Sequence, residues 1–362
     1  METKIIKSTE EFYQLKEQWE RLQEQDPDVT YYSTYEFVKT WWDVYSDPEK
    51  NSLFIICVYS GDKIVAIAPL MLQNEKKFVF KYKVLKFLGR GDYFNFILDR
   101  TSGLDLKSIR AIIEEIFSSK QWERIRLTHI SSSSPLAYSL LSHREYNKAF
   151  QYLVECPVVD FTKYESFEQY KKIYGIDKEC KRYINKLQNE VGYKFYVVKN
   201  DQFDAYTIIS QLHKAEQEYL IANKGRDERS SLFNKKEYSK FVENIYRGNE
   251  KVITFILEDN VSNLLSYYTC YFYKGVLHCW NTAYNPQYGK YKLNLILNYE
   301  TFNYIFDNEL AEKFDFGAGR YPWKFKWTKD FIFDYELYMW NTNTRKSRFL
   351  KFLYALKNKK KI

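Results

Sequence analysis

The most informative stretch of this sequence is Phe314-Asp315-Phe316-Gly317-Ala318-Gly319-Arg320-Tyr321-Pro322-Trp323-Lys324-Phe325-Lys326-Trp327. It begins as a short apolar strand and continues as a turn, because the glycines at 317 and 319 permit backbone conformations that other residues avoid. Asp315 stands where the strand meets the turn. Such a carboxylate either acts on a bound molecule or caps the turn, and the sequence leaves both interpretations open.

Hydrophobic periodicity upstream of this stretch predicts two similar halves. The run 35–72 is typical of a helix, a polar spacer, a strand, a turn and a second strand, and the run 237–273 has the same order at nearly the same lengths. A chain of 362 residues is long enough for two domains. We therefore expect an α/β (α+β) fold of two tandem lobes, each with a mixed central sheet flanked by helices. The expected boundaries are 1–161, 162–344 and a basic amphipathic tail at 345–362.

The excess of positive charge lies at one end of the chain. The sequence has 55 basic and 47 acidic residues, a formal net charge of +8, and residues 345–362 hold eight basic residues and no acidic one. The remainder is neutral, which argues against a general nucleic-acid-binding surface. The tail is predicted either to lie on an anionic membrane surface or to dock on the body. Its apolar helical face consists of Phe349, Leu350, Phe352, Leu353 and Leu356.

Cysteine usage and hydropathy favour a cytoplasmic location. The five cysteines form no close Cys-x-x-Cys pair, which argues against a disulfide framework or a zinc site. The longest apolar runs are far shorter than the roughly 18 residues of a membrane-spanning helix, and no signal-peptide pattern is visible. The expected location is therefore cytoplasmic, with a peripheral position at the inner face of the membrane if the tail binds lipid.

The opening stretch also resembles a known family motif. A late motif of the GNAT-superfamily acyltransferases of the cellulose-biosynthesis type is matched by Asp315, Phe316, Gly319, Lys324 and Trp327. These enzymes are related to the Fem-type transferases that build peptidoglycan bridges. The sequence is similar to this family in further segments that follow the family's order: 35–42, 67–70, 89–93 and 212–213. It departs from the motif at Arg320, where an acidic residue is usual, and at Trp323, where tyrosine is usual.

The resemblance implies two GNAT lobes, with the acyl donor in the second lobe and the acceptor in the groove between them. The donor would be acetyl-CoA or another acyl-CoA, and no metal is implied. In this family a Tyr-Ser-Pro-Gly turn offers backbone N–H groups and a positive helix end to the pyrophosphate. Here the turn aligns with 291–294, where the tyrosine is kept and the Pro-Gly is not. The expected donor-binding residues are Gly289, Lys290, Tyr291, Lys292, Leu293 and Asn294.

Three residues are candidates for catalysis: Asp315, His278 and His213. His278 is predicted on a strand with Trp280 and Thr282 on the same face. An imidazole titrates near neutrality and suits a general base, whereas the alternative for both histidines is packing in a core. Lys324 is predicted to bind a phosphate or an acceptor carboxylate, and the alternative is an ordinary salt bridge or a solvated side chain. The expected substrate-binding residues are Trp280, Gly319, Tyr321, Trp323 and Lys324.

The expected activity is acyl transfer, in particular N-acetylation, from acyl-CoA to an amine or hydroxyl. The resemblance implies a small acceptor or a glycan or peptide precursor of the cell envelope. Direct attack is expected, because no activated cysteine or serine motif stands out. Two alternatives stay open. One is a Fem-type transferase that uses aminoacyl-tRNA, which the neutral body disfavours, and the other is a non-catalytic GNAT-like binding scaffold, which the missing Pro-Gly favours.

Overall fold

The computed structural model describes residues 1–77, 79–200, 202–203 and 205–359, without the side chains of 356–359. The chain divides into two units, one of residues 1–155 together with the chain from 332 onward, and one of residues 156–331. These boundaries differ from the predicted ones at 161 and 344. The chain from residue 332 onward belongs to the first unit because its last strand, β15 (Phe331–Trp340), pairs there. Trp340 lies opposite Arg124, and Leu337 lies opposite Leu127.

The elements are numbered in chain order. The α-helices are α1 Thr9–Gln14, α2 Lys16–Gln25, α3 Tyr35–Tyr45, α4 Asp105–Ser118, α5 Pro135–Ser142, α6 Phe167–Tyr174, α7 Asp177–Glu190, α8 Tyr206–Lys224, α9 Lys236–Tyr246, α10 Leu293–Asp307 and α11 Arg345–Lys359. The strands are β1 Glu2–Ile6, β2 Asn51–Leu53, β3 Ile55–Ser60, β4 Lys63–Ala68, β5 Leu70–Lys77, β6 Phe80–Phe87, β7 Ile97–Leu98, β8 Arg124–Ser131, β9 Phe150–Asp160, β10 Tyr193–Lys199, β11 Val252–Asp259, β12 Leu264–Tyr273, β13 Val276–Tyr284, β14 Lys313–Asp315 and β15 Phe331–Trp340.

The first unit contains a four-stranded sheet in the order β1-β3-β4-β7 and a sheet in which β9, β15, β8, β6, β5 and β2 are neighbours. A single extended segment contributes to both sheets, because Pro69 separates β4 from β5 and has no N–H for a ladder. The core of this unit gathers strand residues with the apolar faces of α4 and α5, including Ile112, Leu127 and Leu140. The predicted mixed α/β class is confirmed here.

The second unit is built on a sheet in the order β10-β11-β12-β13-β14-β9. Helices α6, α7 and α10 pack on one face, where Tyr170, Leu187 and Phe302 share a core with Tyr268 of β12. Helices α8 and α9 cover the opposite face, where Tyr246 of α9 contacts Trp280 of β13. The run predicted as helical over 166–189 is two helices, since Gly175 takes a left-handed conformation with φ +63° and ends α6.

A β-bulge changes which side chains of β13 face α8 and α9. Cross-strand partners lie on the same face of a sheet, and the register shifts so that Asn281 lies opposite Thr269 while Cys279 lies opposite Cys270. His278 therefore shares the face of its partner Tyr271, and Trp280 stacks on the same Tyr271 at 5.5 Å. Thr282 lies opposite Tyr268, on the α10 face. The prediction that Thr282 shares the face of His278 is wrong, because the extra residue breaks the alternation.

Helix α11 of the tail docks within the first unit through part of its apolar face. Leu350 is buried in a cluster with Tyr82, Val84 and Trp340, and Lys346 pairs with Glu123 at 2.9 Å. Phe349 and Phe352, in contrast, are 48% and 59% exposed. Residues 360–362 of the predicted tail lie outside the described residues. Of the helices in the described part of the chain, none is both long enough and apolar enough to cross a membrane.

Candidate functional site

The strands β13 and β14 run parallel and then part. Their ladder holds only Val276, Leu277 and His278 against Lys313, Phe314 and Asp315. Beyond this point β13 continues to Tyr284, whereas β14 turns away into the glycine-rich loop. Parallel strands that diverge leave backbone N–H and C=O groups of one strand without a ladder partner. Such an edge is suited to hold an extended ligand.

A cavity of about 310 Å³ lies near the end of β13, at the start of α10. Its wall includes Tyr284, the last residue of β13, and Leu293 to Leu295 of the first turn of α10. Gly289, Lys292, Asn294 and Trp323 of the predicted site line the same cavity, together with Glu179 and Lys326. The structure thus brings four predicted donor-binding residues, Gly289, Lys292, Leu293 and Asn294, to one place. Trp323, predicted for the acceptor, lies beside them and is 41% exposed.

The backbone at the start of α10 is shaped by Lys292. A 3₁₀ turn over Pro286–Tyr291 leads into Lys292, whose φ of +53° is left-handed. Lys292 makes no side-chain capping bond. In the first turn of α10 the Leu295 N–H donates to the Lys292 carbonyl at 2.8 Å, whereas the N–H groups of Leu293 and Asn294 come too early in the helix to have a partner inside it. Together with the helix dipole, these groups make the start of α10 favourable for an anion.

Glu179 forms ion pairs with both lysines that line the cavity, Lys292 and Lys326. Lys292 Nζ lies 3.0 Å from Glu179 Oε1, and Lys326 contacts the other carboxylate oxygen of Glu179. Lys326 first, and then Lys292, lower the pKa of Glu179, so the carboxylate is charged at neutral pH. The formal charge of the three groups is one positive unit, before the partial charge of the helix end is added.

Lys290 and Tyr291 of the predicted donor set face another carboxylate. Glu190 accepts a hydrogen bond from Tyr291 Oη at 2.9 Å and lies 3.1 Å from Lys290 Nζ. Lys290 does not line the cavity. Although Lys290 and Lys292 are only two positions apart in the sequence, Lys292 lines the cavity and Lys290 pairs with Glu190 instead.

Asp315 lies at the point where the two strands part and binds on two sides. Its Oδ1 accepts the backbone N–H of Gly317 at 2.7 Å, and its Oδ2 lies 3.3 Å from His278 Nδ1. Both side chains are buried. The turn-capping interpretation of Asp315 is seen directly, and the imidazole of His278 lies beside the same carboxylate. The buried Lys324 donates to the carbonyls of Gly317 at 2.8 Å and Ala318 at 3.3 Å, which fixes the loop from within.

The remaining loop residues are more exposed. Tyr321 is 52% exposed, and Gly319 has a φ of +119° in which an added Cβ would lie 2.6 Å from the Tyr321 ring. Glycine suits position 319 because residues with a side chain rarely adopt this φ.

His213, on α8, lies in a packed environment. Its Nδ1 is 2.9 Å from Ser231 Oγ, and Phe233 meets its ring edge-on at 5.3 Å. Burial, and then the positive charge of Arg229, lower the pKa of His213 to about 4. The imidazole is thus neutral at physiological pH.

A buried carboxylate one turn further along α8 was missed by the sequence reasoning. Glu216 is only 7% exposed. Its Oε1 accepts the backbone N–H of Tyr284 at 3.3 Å, and its Oε2 accepts Gln217 Nε2 at 3.0 Å. Burial raises the pKa of Glu216 to about 7. The one available signal was the helical spacing of His213, Glu216 and Gln217, which places polar residues on the buried side of α8.

Sequence comparison identifies the central part of this unit. Residues 176–325 match the family model described as acetyltransferase (GNAT) domain. The second unit contains a GNAT-type acetyltransferase domain. The matched range includes β13 with its bulge, α10, every residue that lines the cavity except Lys326, and the loop after β14 as far as residue 325. No curated protein has a sequence that matches this one significantly.

Solved structures share the fold along most of the chain. FemX aligns with a TM-score of 0.58 at 10% identity, over 95% of this chain and 98% of that chain. A conserved protein of unknown function from Bacteroides thetaiotaomicron aligns with a TM-score of 0.54 at 12% identity, over 93% and 100%. L-PGS from Bacillus licheniformis aligns with a TM-score of 0.52 at 14% identity, over 92% and 94%. At these identities the likeness establishes the fold.

The described residues contain no group of three or more His, Cys, Asp or Glu side chains arranged to hold a metal ion. All five cysteines are buried as free thiols.

Proposed function

We propose that the second unit binds an acyl-CoA at the start of α10 and transfers its acyl group to an acceptor. The observation that carries this proposal is the cavity of about 310 Å³ that is lined by Tyr284 of β13 and by the first turn of α10. Its cationic side chains and helix N–H groups suit the pyrophosphate, and the part of β13 beyond its ladder with β14 suits the extended arm that leads to the thioester. Gly289, Lys292, Leu293 and Asn294 would border the phosphates.

The turn before α10 supports a donor site there although the family's Pro-Gly is missing. Lys292 itself adopts the left-handed conformation that starts α10, and the 3₁₀ turn around Gly289 precedes it. A left-handed non-glycine residue costs about 1 kcal/mol. This arrangement supports an intact donor site rather than a degenerate scaffold.

The acceptor is proposed to be a precursor of the cell envelope, as the resemblance to acyltransferases of the cellulose-biosynthesis type implies. The likeness to FemX and to L-PGS, a lysyl-phosphatidylglycerol synthetase, supports a peptide or a lipid headgroup as the acceptor class. Asp315 and His278 are proposed to orient the acceptor, with Trp280, Tyr321 and Lys324 close by. The exposed Phe349 and Phe352 of α11, among its basic residues, support a peripheral position at an anionic membrane surface.

Fem-type transfer from aminoacyl-tRNA is the second candidate, favoured by the alignment with FemX over 95% of this chain. Calorimetry distinguishes the two. We expect acetyl-CoA or a longer acyl-CoA to bind at micromolar concentrations, and an aminoacyl-tRNA to bind only weakly and with a steep salt dependence. Tight binding of aminoacyl-tRNA without any binding of acyl-CoA would replace the first proposal by the second.

A further inference from the structure

We propose that the first unit holds a second ligand site, between β6 and β8, which binds a small aromatic carboxylate. The inference goes beyond the proposed function and does not depend on it, because every residue that it uses belongs to the first unit. It starts from a cavity of about 230 Å³. This cavity shares no lining residue with the cavity at the start of α10.

The strands β6 and β8 run parallel and then part, as β13 and β14 do in the second unit. Their ladder ends with Leu85 opposite Ile125. The chain leaves β8 after Phe87 and returns to it at Phe94, whose N–H donates to the carbonyl of His129 at 2.8 Å. Phe87, Phe94 and His129 all line the cavity. The cavity therefore lies where the two strands separate.

His129 has a backbone conformation that residues with a side chain rarely adopt. Its φ of +58° is left-handed, and strained residues of this kind cluster at ligand sites. Its Nδ1 lies 3.0 Å from Thr128 Oγ1, and its other ring nitrogen has no hydrogen-bond partner among the described residues. Burial lowers the pKa of His129, with smaller and opposite effects of Asp92 and Arg126. The imidazole is therefore neutral at neutral pH and can form a hydrogen bond with a ligand.

The charged side chains that line the cavity are cationic. They are Lys86 of β6 and Arg126 of β8, and no acidic side chain of the described residues lines it. The two cations lie on the same face of the sheet, because each directly follows a residue of the last ladder pair. Lys86 pairs with Glu75 at 2.9 Å and Arg126 with Glu336 at 3.3 Å, but neither carboxylate lines the cavity. The cavity therefore favours an anion, and the planar guanidinium of Arg126 suits a carboxylate.

The rest of the cavity wall is mainly apolar and limits the size of the ligand. The rings of Phe87 and Phe94 stack at 5.2 Å with an angle of 10° between their planes, and Met71 and Leu153 also line the cavity. An apolar cavity of about 150 Å³ accommodates benzene. A cavity of about 230 Å³ therefore accommodates one ring with a carboxylate, and it is smaller than the roughly 300–1,000 Å³ of sites for larger ligands.

The test is calorimetry on the full chain with benzoate as the probe. We expect benzoate to bind with a Kd of roughly 0.1 to 1 mM. Benzyl alcohol, which has the ring without the charge, and acetate, which has the charge without the ring, should bind about tenfold more weakly or not at all. Arg126→Gln should weaken benzoate binding about tenfold. The matched control is Arg110→Gln, which removes an exposed arginine that pairs with Glu114 on α4 and should leave the affinity unchanged.

A second variant, His129→Gly, removes the imidazole at a position where glycine adopts the observed φ without strain. We expect this variant to remain folded in urea denaturation and to bind benzoate roughly threefold to tenfold more weakly. Unchanged affinity in a folded His129→Gly would contradict the role of the imidazole in this site.

Three further results would overturn the inference. Absence of benzoate binding by the unaltered protein would refute the site. Equal affinities for benzoate and benzyl alcohol, or equal effects of Arg126→Gln and Arg110→Gln, would refute the recognition of a carboxylate. Displacement of benzoate by acetyl-CoA would show that the cavity belongs to the donor site. Failure of acetyl-CoA to bind, with benzoate still bound, would refute the proposed function and support a site that is independent of it.

Discussion

His278 Nδ1 lies 3.3 Å from Asp315 Oδ2, and the two residues are also the last paired positions of β13 and β14. One contact therefore ties the side chains together at the point where the two strands part. Because Asp315 also accepts the Gly317 N–H, the same carboxylate fixes the start of the loop. The geometry of the loop and of the parting strands thus depends on one buried side chain.

Replacing Asp315 should reduce stability and also catalysis. Asp315→Ala leaves the buried Gly317 N–H without its acceptor and removes the carboxylate beside the His278 ring, and we expect the free energy of unfolding to fall by about 2 kcal/mol. Asp315→Asn keeps one acceptor oxygen and should cost less. Urea denaturation of the full chain measures both variants. If the two variants unfold at the same urea concentration as the unaltered protein, the capping role is wrong.

Replacing Glu179 should strengthen donor binding. Glu179→Gln releases Lys292 and Lys326 from their shared carboxylate and raises the formal charge of the three groups by one unit. Since these side chains are partly exposed, we expect acetyl-CoA affinity to rise only roughly threefold to tenfold, with a steeper dependence on salt. Glu190→Gln, which releases Lys290 outside the cavity, is the matched control. Weaker binding in Glu179→Gln would mean that Glu179 positions the lysines instead of competing with the ligand.

Glu216 should lower the stability of the protein as the pH rises. Its pKa in the folded protein, about 7, is higher than the ordinary 4.5, so its contribution is present below pH 4.5 and is lost as the pH rises through 7. As the pH is raised from about 4 to about 8, we expect the free energy of unfolding of Glu216→Gln to rise by about 3 kcal/mol relative to that of the unaltered protein. The measurement is urea denaturation across this range. A constant difference between the two proteins would contradict the prediction.

His213 should make stability depend on pH with the opposite sign. Its pKa is lowered to about 4, so its contribution is present above the ordinary pKa of 6.5 and is lost as the pH falls through 4. His213→Asn should therefore flatten the loss of stability at acidic pH, which the same urea denaturation measures. In the unaltered protein the effects of Glu216 and His213 on the pH dependence of the free energy of unfolding offset each other between about pH 4.5 and 6.5.

The tail should bind anionic vesicles through its two exposed phenylalanines. The double variant Phe349→Ser, Phe352→Ser keeps Leu350 in its buried cluster and should lose most of the sedimentation with phosphatidylglycerol vesicles. Neutral phosphatidylcholine vesicles are the control, because the basic residues require an anionic surface. The membrane proposal is wrong if the double variant, or deletion of 345–362, leaves binding unchanged.

Local patterns predicted the parts of the site that depend on local chemistry. The loop after β14 follows from the glycines and aromatic residues of 314–327, whereas the turn at 291–294 was located by the resemblance to the family's Tyr-Ser-Pro-Gly motif. The mixed α/β class followed from hydrophobic periodicity in the same way.

Features that depend on distant partners were not predictable. The bulge that moves Thr282 to the α10 face arises from the register with β12, which alternation alone does not encode. Glu216 has the appearance of a surface residue on a polar helix, and only its contact with Tyr284, 68 positions away, shows that it is buried. The return of the last strand to the first unit likewise depends on pairing between 340 and 124.

The central claim is that the start of α10 binds the donor, and calorimetry with acetyl-CoA on a pair of lysine variants tests it most directly. Lys292→Glu reverses a charge that lines the cavity, whereas Lys290→Glu reverses one two positions away that faces Glu190. We predict that Lys292→Glu weakens binding roughly tenfold to 100-fold and that Lys290→Glu has little effect. Equal effects of the two variants, or no binding of any acyl-CoA by the unaltered protein, would contradict the account.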